Sequence, residues 1–187
     1  IPQWPAFLTS EEEEAGFRLL FNGTDLSGWQ SVPAAAWEAQ GGILRGGVGA
    51  LGRLLALAPL PNATVRFEFR LSARAEAALI LRADDAGNGW EIPLKEDRWG
   101  PRTVDSTGGL AGHVAPKGDP NTGGSRWNWL EATLNGDDLT VRINDVTLLE
   151  CDVAAVPGMP AGGGGGLQLR LDRGRIDVRN VLAKPLA

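Results

Sequence analysis

Glu91 and Lys95 carry the most readable chemistry in this sequence. They lie in Gly89-Trp90-Glu91-Ile92-Pro93-Leu94-Lys95, alternating with the apolar Trp90, Ile92 and Leu94. A period of two puts a carboxylate and an ammonium on one face of a strand and the apolar side chains on the other. The same arithmetic pairs Gln168 with Arg170 against Leu167, Leu169 and Leu171, and Arg142 with Asn144 against Val141 and Ile143. Arg82 follows the apolar Leu79-Ile80-Leu81. Glu91, Lys95, Arg82, Arg142, Gln168 and Arg170 are therefore candidates for one polar floor, which would set a general acid or base beside cations. His113, the only histidine, lies in Gly112-His113-Val114-Ala115-Pro116. Its pKa range suits a base or a metal ligand. Each residue also has a plain structural reading: surface or paired carboxylate for Glu91, surface cation or ion pair for the basic residues, exposed loop residue for His113.

Other chemistries lack their signatures. No His/Cys cluster or H-E-x-x-H is present, and Asp84-Asp85-Ala86-Gly87-Asn88 lacks EF-hand spacing, so no metal site and no cofactor are predicted, with a calcium ion at that turn left open. There is no Gly-x-Ser-x-Gly, and Ser106 and Ser125 fall in loops. The run Gly162 to Gly166 is followed by neither Lys-Ser/Thr nor a helix, which argues against a phosphate cradle and for a mobile connection. Cys151 ends an apolar strand and reads as a small buried hydrophobe, and a single cysteine forms no internal disulfide.

The elements that must position these side chains are strands. Candidates are Arg18–Phe21, Trp37–Gln40, Ile43–Arg45, Leu51–Leu55, Ala63–Leu71, Ala77–Ala83, Gly89–Lys95, Leu130–Asn135, Asp138–Asn144, Val146–Cys151, Gly166–Leu171 and Arg175–Ala183. Val65 to Leu71 and Leu139 to Asn144 alternate strictly. Asn22-Gly23, Gly41-Gly42, Asn135-Gly136, Asn144-Asp145 and Arg173-Gly174 mark turns between the runs. Many short strands with frequent turns predict an all-β antiparallel sandwich or jelly roll. Ser10 to Glu14 reads as a short capped helical turn in a peripheral segment, Ile1 to Ala15, ahead of a single domain over 16–187. Asp97 to Gly124 is a long Gly- and Pro-rich loop, and loops of that length are often functional. Seven tryptophans and no tyrosine are unusual, and Trp29, Trp37, Trp90 and Trp127 are expected in core or rim packing. At 187 residues with a net charge of −5 and no basic cluster, the chain is not suited to nucleic acid or an anionic membrane, and no apolar run is long enough for a membrane-spanning helix. The first residue is Ile rather than Met, which a removed signal peptide would explain. An exported, periplasmic or cell-surface location is the expectation.

Four segments together resemble the 3-keto-disaccharide hydrolase domain family, a concanavalin A-like or laminin G-like β-sandwich. They are Leu20 to Trp29 (Leu-Phe-Asn-Gly-Thr-Asp-Leu-Ser-Gly-Trp); Trp37 to Leu44, similar to the family's W-x-x-x-x-G-x-L; and Phe67-Glu68-Phe69-Arg70-Leu71 with Leu79-Ile80-Leu81-Arg82 and Gly89-Trp90-Glu91-Ile92, similar to F-x-F-R-L, F-L-R and G-Y-E-V-Q. The fourth runs from Trp127-Asn128 through Val141 to Asp145, then Gly166-Leu167-Gln168 and Val178-Arg179-Asn180-Val181, similar to W-N, W-L-N-G, I-G-L-Q and F-R-N-I. The family has a His shortly after its L-Q pair, where this chain has Leu169-Arg170-Leu171.

The resemblance implies cleavage of a glycosidic bond next to a 3-keto group. The keto group acidifies the C2 proton, a base removes it, the C1 substituent leaves by elimination, and water adds to complete net hydrolysis. It assigns Glu91, which matches the family's Glu, as base or acid; His113, by its pKa range rather than by the resemblance, is the other candidate base. Arg82, Lys95, Arg142, Gln168 and Arg170 would bind substrate or stabilise the enolate, and Trp99 would stack on a sugar ring. The partner would be a saccharide or glycoside. The alternative from a different class is a non-catalytic glycan-binding module on the same sandwich.

Overall fold

The structure, a computed structural model, describes residues 7–97, 99–160 and 164–187; the expected mobile connection at the glycine run falls partly outside them. The first element is α1 (Ser10–Glu14). Thr9 caps it: Thr9 Oγ1 accepts from the Glu12 amide at 3.1 Å while Glu12 Oε2 accepts from the Thr9 amide at 2.9 Å, a reciprocal capping box. None of its residues is buried, as expected of a solvated acidic turn.

The strands follow: β1 (Arg18–Leu19), β2 (Trp29–Val32), β3 (Trp37–Gln40), β4 (Ile43–Gly46), β5 (Gly52–Ala56), β6 (Ala63–Leu71), β7 (Glu76–Ala83), β8 (Trp90–Lys95), β9 (Asn128–Asn135), β10 (Asp138–Ile143), β11 (Val146–Asp152), β12 (Gly166–Arg173) and β13 (Ile176–Pro185). They form two antiparallel sheets. The larger has the order β11-β10-β9-β6-β13-β4-β3, with β1 added beside β13; the smaller has the order β2-β5-β12-β7-β8. This is the expected β-sandwich. β2 was not anticipated: Trp29 returns to the interior as predicted, 5% exposed, and its backbone also pairs with β5 at the sheet edge. The sequence signal there is weak because Trp29 is the one buried residue of its four.

The core lies between the sheets, with Phe67, Phe69 and Leu130 of the large sheet meeting Leu79, Ile92 and Leu169 of the small one within a single buried cluster. Tryptophan indoles are satisfied within it, Trp29 Nε1 donating to Leu20 O at 2.8 Å and Trp37 Nε1 to Gly52 O at 3.2 Å. The turn ahead of Trp29 is built by side chains. Asn22 Oδ1 accepts from the Thr24 and Asp25 amides, and Asp25 Oδ1 accepts from Asn22 Nδ2 and the Ser27 amide. That closes the chain so that Trp29 re-enters the core. Cys151, expected to be a small buried hydrophobe, is half-buried against the core cluster.

The long loop after β8 is a structural closure. The amides of Gly108 and Ala111 donate to Pro93 O and Glu91 O of β8, and further on the Lys117 amide donates to Leu148 O of β11. β8 and β11 are the edge strands on the same side of the two sheets, so the loop ties them together and covers edges that would otherwise offer free backbone groups. Its own Ser106, Thr107 and Leu110 are buried. Gly108 adopts φ +83°, and a Cβ there would lie 2.2 Å from Leu148 Cδ1. Gly108→Ala is therefore expected to destabilise the fold by about 2–4 kcal/mol through combined strain and overpacking. Urea unfolding of the two proteins measures this, and a shift below ~0.5 kcal/mol would show that the loop yields freely.

Candidate functional site

The strict alternation of β6 decides what faces outward from the large sheet. Val65, Phe67, Phe69 and Leu71 are buried in the core, so Arg66, Glu68 and Arg70 project from the opposite face. β6 lies between β9 and β13, and its register sets these charges in cross-strand rows. In the first row Arg66 is opposite Glu131 of β9, which is opposite Arg142 of β10. Arg66 Nε donates to Glu131 Oε2 at 2.5 Å, while Arg142 Nη1 lies 3.9 Å from Glu131 Oε1. The second row is Trp129, Glu68 and Arg179. Arg179 donates to both Glu68 oxygens, at 3.1 and 3.3 Å, and Asn180 Nδ2 donates to Glu68 Oε2. Asn180 reaches Glu68 because β13 bulges between Arg179 and Leu182, with Asn180 at φ +52°, and bulges re-aim side chains in this way. The third row sets Asp177 between Arg70 and Arg45, accepting at 2.5 Å and 2.8 Å.

The first two rows form the floor of a groove of about 980 Å³, a size suited to a small ligand. Asp145 lies along it on one flank and the Gly41-Gly42-Ile43 turn on another, while Phe7, Thr9 and Glu12 of the N-terminal segment form a further wall. Aromatic rings steady the cations. The Arg66 guanidinium lies 4.3 Å from the Phe17 ring centre, and Trp127 lies 3.9 Å from that of Arg179 and 4.6 Å from that of Arg70. The two carboxylates of the floor, Glu68 and Glu131, differ in their bonding. Glu68 accepts from donors on both of its oxygens, whereas Glu131 accepts from Arg66 at Oε2 and has its Oε1 3.9 Å from Arg142 Nη1. The groove thus offers guanidinium donors, the Oε1 of Glu131 at 3.9 Å from Arg142, and an aromatic surface in Trp129.

The predicted single polar floor is divided between separate places. Arg142 alone of its six members lines this groove. Glu91, Gln168 and Arg170 lie on the outer face of the small sheet, because β8 and β12 belong to that sheet. There Arg170 donates to both Glu91 oxygens, at 2.5 and 2.9 Å, and also to Asp172. Gln168 is buried, accepting from Arg53 at 2.9 Å and donating to Asp84 O at 2.8 Å. Lys95 ends β8, its backbone bonded to Thr107 and Thr122. Arg82, in a bulge at φ +48°, stacks on Trp90 at 4.6 Å and donates to Asn62 and Gly136 O. His113 lies in the turn Leu110 to Val114 of the closing loop, and Trp99 stands on the same loop 84% exposed; neither lines the groove. At the Asp84 turn the carboxylate accepts from the amide and Nδ2 of Asn88, and these bonds hold its pKa below the ordinary aspartate value. Among the described residues no group of three or more His, Cys, Asp or Glu side chains is placed to hold a metal ion.

Sequence reasoning did not single out Arg66, Glu68, Trp129, Glu131, Arg179 or Asn180 as site residues. Part of the signal was present. The alternation of Val65 to Leu71 puts Arg66 and Glu68 on one face, and Glu68, Arg179 and Asn180 lie inside the segments that carry the family resemblance.

Two antiparallel sheets with a polar groove on the outer face of one define a concanavalin A-like, lectin-type sandwich. The chain belongs to the 3-keto-α-glucoside-1,2-lyase-like domain family, whose model matches residues 16–183. It is similar in structure to a Parabacteroides distasonis protein provisionally classed as a glycosyl hydrolase, with TM-score 0.84 and 19% identity over 98% of this chain and 100% of that one. A second such Parabacteroides distasonis protein gives 0.79 and 18%, covering 91% and 99%. The carbohydrate-binding module CBM66 from Bacillus subtilis gives 0.61 and 16%, covering 84% and 95%. At these identities the likeness establishes the fold. No curated protein matches the chain in sequence.

Burial raises the pKa of Asp177, but its hydrogen bonds to Arg45 and Arg70 and their charges outweigh that and hold it below the ordinary 3.8. A lowered folded-state pKa contributes stability that is complete above 3.8 and is lost as pH falls through the folded value. Asp177→Asn should therefore cost about 1–2 kcal/mol at neutral pH. That cost should shrink as pH drops below about 4 in thermal or urea unfolding. A cost that is the same at pH 3 and pH 7, to within about 0.3 kcal/mol, would remove the carboxylate from the account.

Proposed function

We propose that the groove on the large sheet binds a neutral saccharide and cleaves a glycosidic bond next to a 3-keto group, with Glu131 as the base. The observation that carries this is the first row of the floor. One carboxylate is anchored through Oε2 by Arg66, and its Oε1 faces Arg142 across 3.9 Å. A base that removes the C2 proton needs a fixed carboxylate with an accessible oxygen. The negative charge then spreads onto the C3 oxygen, and a guanidinium beside the base can stabilise it. The C2–C1 double bond forms as the C1–O bond breaks, the departing oxygen takes a proton, and water adds at C1 to give net hydrolysis. Arg179 retains N–H donors beyond its two bonds to Glu68, suited to sugar hydroxyls. Family membership over residues 16–183 supports this chemistry.

A second reading has its own observation. Glu68 accepts three hydrogen bonds from Arg179 and Asn180, and the sole histidine lies outside the groove. A floor of mutually paired charges is also what a glycan-binding module would present.

The test is incubation with 3-keto-disaccharides and their parent glycosides, following release of reducing sugar. Glu131→Gln is expected to lower turnover by about 10²-fold or more while retaining binding. Glu91→Gln, which alters an ion pair on the other sheet, should stay within about twofold of wild type. Loss of turnover in Glu91→Gln with Glu131→Gln unaffected would overturn the assignment. Binding without turnover in the wild type would favour the binding module.

A further inference from the structure

We propose that Phe7 is a saccharide-contacting, specificity-determining residue, and that the segment from Phe7 to Glu12 is a built wall of the groove rather than a peripheral tail. The inference rests on the reading that the groove binds saccharide. Three observations carry it. First, Phe7 is 63% exposed and lines the same cavity as Trp129, Arg142 and Arg179. Its ring is therefore free of the core and is set on the wall of the groove, where it can cover the apolar face of a ligand. Second, the segment is anchored to the floor. The Thr9–Glu12 capping box starts α1, and the Ala15 and Phe17 amides donate to Glu11 O and Glu12 O. Phe17 is then buried, with the Arg66 guanidinium over its ring. The wall is thus tied through Phe17 to the arginine that holds Glu131. Third, Phe7, Thr9 and Glu12 precede residue 16, where the family match begins, so this side of the groove is built from outside the matched domain.

The chemistry of the ligand explains why such a wall is useful. The floor consists mainly of paired charges, which suit hydroxyls. A pyranose ring also has an apolar C–H face, and an aromatic side chain covers that face while the edge hydroxyls reach polar partners. Phe7 supplies aromatic surface at the lip, separate from Trp129 on the floor.

The experiment is calorimetric titration of the full chain with a neutral α-linked gluco-disaccharide and with its 3-keto form, comparing wild type, Phe7→Ala, Phe7→Trp and Arg142→Ala. Phe7→Ala is expected to weaken binding about tenfold with an unchanged melting temperature, and Phe7→Trp to stay within about twofold of wild type. Arg142→Ala marks the floor itself. If Arg142→Ala weakens binding and Phe7→Ala does not, the wall has no role and the groove reading stands. If the wild type binds neither sugar, the groove reading fails and the inference with it.

Discussion

The register of β6 against its two neighbours is the constraint on which the site depends. Arg66 and Glu68 are two residues apart on one strand, so they share a face and carry opposite charge. Pairing with β9 and β13 puts Glu131 beside Arg66 and Arg179 beside Glu68. A slip of one residue would turn Phe67 and Phe69 to solvent and drive these charges into the core. The apolar face therefore specifies the register, and the polar rows follow from it. Aromatic rings then limit how far the long arginine side chains can wander, which matters because such side chains otherwise lose substantial rotamer entropy when fixed.

The two outer faces of the sandwich have been put to different uses. On the large sheet, turns and the N-terminal segment rise around paired charges and leave a cavity. On the small sheet, Arg170, Glu91, Arg53 and Gln168 bond to one another or to the Asp84 turn, and Ala78 and Ile80 are buried on that face. Polar side chains there cover an outward-facing apolar patch, their stems packing while their heads stay hydrated. Similar residue types thus build a site on one face and a coat on the other.

Much of the fold was legible because its signals are local. The alternation in Val65 to Leu71, the Asn22-Gly23 turn and the return of Trp29 each follow from neighbouring residues. The site was less legible because its partners are far apart in sequence. Glu131 and Arg66 meet only when β9 pairs with β6, and the chain between them includes the whole long loop. Alternation correctly put Glu91 with Lys95, and Gln168 with Arg170, on a face away from the core. It carries no information about which sheet a strand joins, and that is what separated Arg142 from the others. Equally, nothing local distinguishes the face that elements rise around from the face that side chains cover.

The pairing within the rows has a consequence for how a ligand arrives. The three guanidiniums of the groove floor share Glu68 and Glu131, and Asp145 and Glu12 also line the groove, so opposite charges lie close together and largely offset one another a short distance above the sheet. Such a surface casts little field into solution and gives little long-range steering to an approaching molecule. Encounter with the groove is then governed by diffusion and shape, and capture by contact once water has been displaced. A site of this kind would work much alike in dilute and salty surroundings.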